Sequence, residues 1–300
     1  MITGYFMATS NKRRIRKPIE LLAQVILYKL AVKIVYLLVN RSFSAKDFFA
    51  CFLPNNYFVV FYCVIFLLSP YVNKLLESLP YKKAVRMIVA LFLIFSVYPA
   101  AVHILSNING EQITGLDSVG MYGSQGGYNI VNFMMAYTIG AFFRIYNIKE
   151  LFPAKKHLTA AFFACAILIT LYSIFEESTI GPSEELGKTA WTYFNPLVFA
   201  EAALILLLFL NIDIGNIQWI NMASTGVFSV FLLHGSFIRR IGIEYFVRRN
   251  AVLMCAHILV SALAMFLICT GIHYIYKALT TPIFDRLFSN NYLIVNLENE

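Results

Sequence analysis

Eight long apolar stretches, separated by short polar segments, fill most of this chain. They fall near 19–40, 56–73, 85–105, 128–147, 157–175, 191–211, 218–236 and 252–277. About twenty apolar residues cross the hydrocarbon core of a bilayer as a helix, and each stretch is close to that length. The runs are continuous instead of alternating over ten-residue segments, which excludes a closed β-barrel. Backbone polar groups in lipid must find partners within the protein, so the pattern predicts helices. The chain reads as an all-α integral membrane protein of about eight transmembrane helices in one bundle. A single membrane domain spans 1–285, with a short C-terminal tail at 286–300. The opening Met1-Ile2-Thr3-Gly4-Tyr5-Phe6-Met7 reads as the end of a membrane helix whose beginning is absent. An N-terminally truncated, inactive chain is therefore one expectation.

Composition agrees with the pattern. Hydrophobic residues make up 59% and charged residues 13%, where soluble domains carry roughly 25% charge. That is too little charge to coat a soluble body. The net charge of +8 raises nucleic acid as a partner. Lys and Arg, however, cluster between apolar segments instead of forming one stripe, so membrane lipid is expected and nucleic acid is not. The cysteines, Cys51, Cys63, Cys165, Cys255 and Cys269, form no CxxC pair and have no histidine at ligand spacing, so no metal site is indicated.

Charge also orients the chain. With the run Lys12, Arg13, Arg14, Arg16 and Lys17 in the cytoplasm, fifteen basic residues fall inside and seven outside, and Lys29 and Lys33 lie within a span. Such an excess is what sets cytoplasmic loops. The loop 106–127 has no Lys or Arg, as an exported loop should. Residues 237–251 dissent, placing four arginines on the outer side.

Ionisable groups inside spans are costly and mark functional candidates. Lys29 and Lys33, at i and i+4, share one helix face. Two ammoniums on an inward face suit a phosphate-rich ligand; equally, they suit an amphipathic helix whose lysines pair with a carboxylate. Glu201 sits mid-span after Asn195-Pro196 and is a candidate partner for them. His234 closes a span and is a weak catalytic candidate, with His103, His257 and His273 weaker still. No nucleophile elbow, P-loop or dinucleotide fingerprint occurs.

The order of motifs resembles the bacterial acyltransferase 3 family of integral-membrane proteins. Met1 to Met7 resembles the end of the family's second helix, and Arg13 with Arg16 is similar to its RxxR element. Tyr57 to Pro70 resembles the fourth helix. Gly126-Gly127-Tyr128, followed by Tyr137 to Phe142, resembles a later tyrosine-glycine helix. Ser224 to His234 is similar to the ninth-helix motif, with Ser229 in place of the usual glycine and Phe231 in place of the usual tyrosine.

The resemblance implies a ten-helix architecture, of which this chain would be a remnant, in the bacterial cytoplasmic (inner) membrane. It implies transfer of an acyl group, acetyl foremost, from acyl-CoA to a hydroxyl of a cell-surface polysaccharide or its precursor. Carbohydrate acceptor, acyl-CoA and lipid would be the partners. Arg13, Arg16, Lys29 and Lys33 become donor-binding candidates, and Tyr137 a candidate for the acceptor or the acyl tunnel. The family's base histidine precedes any histidine of this chain, so that role passes to no residue here; His234 and Glu201 stay weak catalytic candidates. A small multi-pass transporter or lipid-linked sugar flippase is the alternative, with Lys29, Lys33 and Glu201 lining its path.

Overall fold

The computed structural model describes residues 1–9, 15–40, 44–53, 56–109, 127–152, 154–180, 189–238, 241 and 250–288. Every regular element among them is helical. They are α1 (Ile2–Met7), α2 (Arg16–Asn40), α3 (Ala45–Ala50), α4 (Tyr57–Ser78), α5 (Tyr81–Phe92), α6 (Tyr98–Asn109), α7 (Ile130–Ile145), α8 (Ile148–Leu151), α9 (Lys155–Ile180), α10 (Pro196–Leu210), α11 (Gln218–Thr225), α12 (Val227–Ile238) and α13 (Ala251–Leu287). A π-helical turn, Leu93–Val97, joins α5 to α6 without a break.

All eight apolar stretches form helices, but they are not eight equal spans. Five helices are long and apolar enough to cross a membrane, or six if the bent pair α11–α12 counts as one. The helices α7 and α10 have 16 and 15 residues. At 1.5 Å per residue these reach roughly 24 Å, short of the roughly 30 Å hydrocarbon core. Their starts contribute to this. The Asn129 side chain accepts from the backbone N–H of Asn132, and Asn195 accepts from that of Leu197 with Pro196 in the first turn, so each cap starts the helix inside its apolar stretch.

Two prolines are absorbed locally. Pro70 lies within α4 and gives the Phe66 carbonyl no N–H; the Ser69 hydroxyl donates to that carbonyl at 2.9 Å instead. Pro99 follows the π turn, whose wider winding makes room for a ring that would otherwise meet the preceding turn. The α11–α12 pair bends by 51° beside Gly226. A Cβ there would lie 2.7 Å from the Thr270 hydroxyl of α13, so glycine permits the close approach.

Contacts divide the described residues into two compact units, one holding 1–9 and 60–213, the other 15–59 and 214–288. In the first unit, Leu76, Ala84, Tyr137, Ala141 and Leu207 are among the buried core. Here α1 lies directly on α7. A Cβ at Gly4 would collide with the Tyr137 carbonyl, and one at Gly140 with the Met1 carbonyl. Such small-residue contacts are how helices pack in lipid, where apolar side chains gain little from leaving the bilayer. In the second unit, Tyr28 of α2, Leu233 of α12 and Cys269 of α13 form the core.

Candidate functional site

The second unit contains a cleft of about 510 Å³, within the roughly 300–1,000 Å³ range of small-molecule sites. Tyr28, Lys29 and Lys33 of α2 line it, with Asn56, Tyr57 and Ser236 across from them. The i, i+4 spacing on α2 thus brings both lysines to one cavity. The Lys29 ammonium donates to the Leu53 carbonyl at 2.8 Å. An ammonium has three donors, so this anchor leaves two for a ligand. The Lys33 ammonium lies 5.3 Å from the centre of the Tyr36 ring, a cation–π distance. The walls are otherwise apolar or aromatic. The lining thus sets two cationic side chains among apolar and aromatic ones.

Behind the cleft wall lies a buried polar cluster. Ser229 of α12 is fully enclosed. Its Oγ receives the Gln24 side-chain amide at 2.8 Å, meets the Tyr28 hydroxyl at 2.7 Å, and lies 3.0 Å from Nδ1 of His273 on α13. Three helices therefore converge on one hydroxyl. The sequence ranked His273 below His234, yet His273 has a hydroxyl at hydrogen-bond distance. The signal was hidden because Ser229 and His273 stand 44 positions apart on different helices.

The other candidates fall elsewhere. Arg16 opens α2, where its Nε donates to Glu20 at 2.6 Å and its Nη2 reaches Asp285 at 2.8 Å. It does not line the cleft. Arg13 lies outside the described residues, as do the four arginines of the 237–251 loop. Nδ1 of His234 faces the Phe231 carbonyl at 2.7 Å and the Val230 carbonyl at 3.2 Å. Carbonyls only accept, so Nδ1 carries the hydrogen, and the ring caps its own helix turn.

Two candidates belong to the first unit. Glu201 is half-buried on α10 of the first unit, whereas Lys29 and Lys33 belong to the second, where Lys29 donates to the Leu53 carbonyl. Tyr137 is buried on α7, and its hydroxyl donates to Asn73 Oδ1 at 2.8 Å. Asn73 in turn donates to the Met7 carbonyl at 2.9 Å. This places Tyr137 in a buried hydrogen-bond network of the first unit. That unit also holds a buried carboxylate absent from the sequence candidates: Glu176, at the end of α9, accepts the backbone N–H groups of Thr189 and Ala190 and the Thr189 hydroxyl.

No curated protein and no solved structure matches the chain. The acyltransferase-domain model of the acyltransferase 3 family matches residues 1–282. That range covers nearly the whole chain, and it agrees with the multi-pass helical architecture. The protein belongs to the acyltransferase 3 family of membrane acyltransferases.

Proposed function

We propose that this protein is an O-acyltransferase of the bacterial cytoplasmic (inner) membrane. It moves an acetyl or similar acyl group from acyl-CoA to a hydroxyl of a cell-surface polysaccharide or its precursor. The observation that carries this reading is the pairing of Lys29 and Lys33 in one cleft, within a chain of acyltransferase family. The donor is a phosphate-rich nucleotide joined to a long, less polar pantetheine arm. Two ammoniums answer the phosphates, while the Tyr28, Tyr36 and Tyr57 rings offer the arm an apolar wall. Arg13 and Arg16 would add positive charge at the cytoplasmic mouth, and for Arg16 this requires exchanging a carboxylate for a phosphate. The family assignment weighs against the transporter or flippase alternative.

Acyl transfer to a hydroxyl needs a base to take the proton as the carbon–oxygen bond forms. The test is direct. The full chain, reconstituted in lipid vesicles, is given acetyl-CoA labelled in the acetyl group together with a polysaccharide acceptor. The reading predicts label in a base-labile ester on the acceptor. A folded protein that leaves the label on CoA overturns it.

A further inference from the structure

We propose that Ser229 and His273 form a nucleophile–base pair that carries the acyl group on Ser229 Oγ between donor and acceptor. This deepens the acyl-CoA reading above, on which its choice of donor rests. The geometry is that of an activated hydroxyl. A nucleophilic serine needs a base within about 2.6–3.2 Å, and Oγ lies 3.0 Å from Nδ1 of His273.

The other two contacts are compatible with a serine hydrogen that faces the imidazole. A serine hydroxyl has one hydrogen to give and two lone pairs. The Gln24 amide nitrogen only donates, and it takes one lone pair at 2.8 Å. When the Tyr28 hydroxyl donates to the second at 2.7 Å, the serine hydrogen points to Nδ1. The Gln24 amide then also stands ready to stabilise the negative charge that builds on Oγ as the proton leaves. A serine held merely for packing needs one partner; this one has three, two from α2 and one from α13.

Tyr28 links the pair to the ligand cleft. Its side chain lines the cavity beside Lys29, and its hydroxyl meets Ser229 Oγ, which is not part of that lining. Rotation of the phenol toward the cleft uncovers the lone pair that Tyr28 occupies, and that pair attacks the acyl carbon. In the first half-reaction the Oγ–C bond forms and the C–S bond of the thioester breaks. The serine proton passes to His273 Nδ1 and then to the departing thiolate sulfur. In the second, the acceptor hydroxyl attacks the acyl-serine, its proton passes to His273, and the acyl–Oγ bond breaks as Oγ recovers a proton. The sum is thioester plus alcohol giving ester plus thiol.

The experiment uses the full chain in lipid nanodiscs and p-nitrophenyl acetate, an activated ester without a nucleotide. It therefore probes the pair whether or not the cleft takes acyl-CoA. The expected result is a burst of nitrophenolate, with an acetyl adduct found by mass spectrometry on the peptide holding Ser229. His273→Gln should slow that labelling by about a hundredfold or more, and Ser229→Ala should abolish it. Thermal melts of the variants separate loss of reactivity from loss of fold. Absence of an adduct on Ser229 in the folded wild type, or equal labelling in a folded His273→Gln protein, overturns the proposal. With acetyl-CoA as donor, transfer to polysaccharide by Ser229→Ala at the wild-type rate overturns it while leaving the acyltransferase reading intact.

Discussion

The hydroxyl of Tyr137 donates to Oδ1 of Asn73 at 2.8 Å, and both side chains are buried in the first unit. A polar ring inside an apolar span here serves the packing of α7 against α4, with Asn73 passing the chain of bonds on to the Met7 carbonyl. Tyr137→Phe keeps the shape and strips Asn73 Oδ1 of that donor. The expected loss is about 1–3 kcal/mol of stability, the cost of an unsatisfied buried acceptor. Donor affinity should not change, since the lysine cleft lies in the other unit. A thermal melt and an acetyl-CoA titration on the same sample check both halves.

The contact of α1 with α7 predicts a sharp contrast among glycines. Gly4→Ala and Gly140→Ala each drive a methyl into backbone, the Tyr137 carbonyl in one case and the Met1 carbonyl in the other. Backbone cannot rotate away, so the helices must separate, at about 1–3 kcal/mol or more. Gly235→Ala is the control. Nothing lies within 4 Å of its added Cβ, and replacing a helical glycine by alanine is neutral or stabilising by up to about 1 kcal/mol. Melting temperatures of the three variants in one detergent decide the matter.

Glu176 fixes the turn at 189–195. Both carboxylate oxygens accept N–H groups: Oε1 from Thr189, Oε2 from Thr189 and Ala190. Glu176→Gln has the same size but sets an NH₂ group against donors. It should cost at least about 1–3 kcal/mol and speed amide hydrogen exchange at Thr189 and Ala190. Unchanged protection there would show that the carboxylate does not hold the turn.

Much of this architecture was legible from the sequence. Because lipid leaves the backbone no partner outside its own helix, continuous apolar runs mark the eight long helical stretches, but not the short α3 and α8. The lysine pair was legible for a similar reason: i, i+4 spacing fixes a shared face without knowledge of any other helix. The shortness of α7 and α10 was not, because it depends on where Asn129 and Asn195 take up their capping bonds. At the bend, Gly226 permits a close approach to Thr270, 44 residues away. Tyr137 as a candidate and His234 as a weak one reflect that a polar group in a span requires a partner, and sequence does not reveal whether that partner is Asn73, a carbonyl of the same helix or a ligand. Ser229 stood out only as a departure from a motif. Its partners, Gln24, Tyr28 and His273, come from helices at opposite ends of the chain.

Arg16 allows stability and binding to be separated. Its bonds to Glu20 and Asp285 are partly exposed, and such pairs are worth about 0–1 kcal/mol. The double variant Arg13→Ala with Arg16→Ala should therefore melt within a few degrees of wild type. If these arginines meet the donor's phosphates, its acetyl-CoA affinity should fall about tenfold or more, the scale of losing a charge-assisted bond. Unchanged affinity would assign the cluster to membrane orientation alone.

The most direct test of the account is the affinity of the full chain for acetyl-CoA when the cleft loses its charge. Calorimetry in nanodiscs compares the wild type with Lys29→Ala, Lys33→Ala and the double variant. The account predicts micromolar-range binding by the wild type, weakened at least about tenfold by either substitution and further by both. Equal affinity in a folded double variant would contradict the claim that this cleft holds the acyl donor.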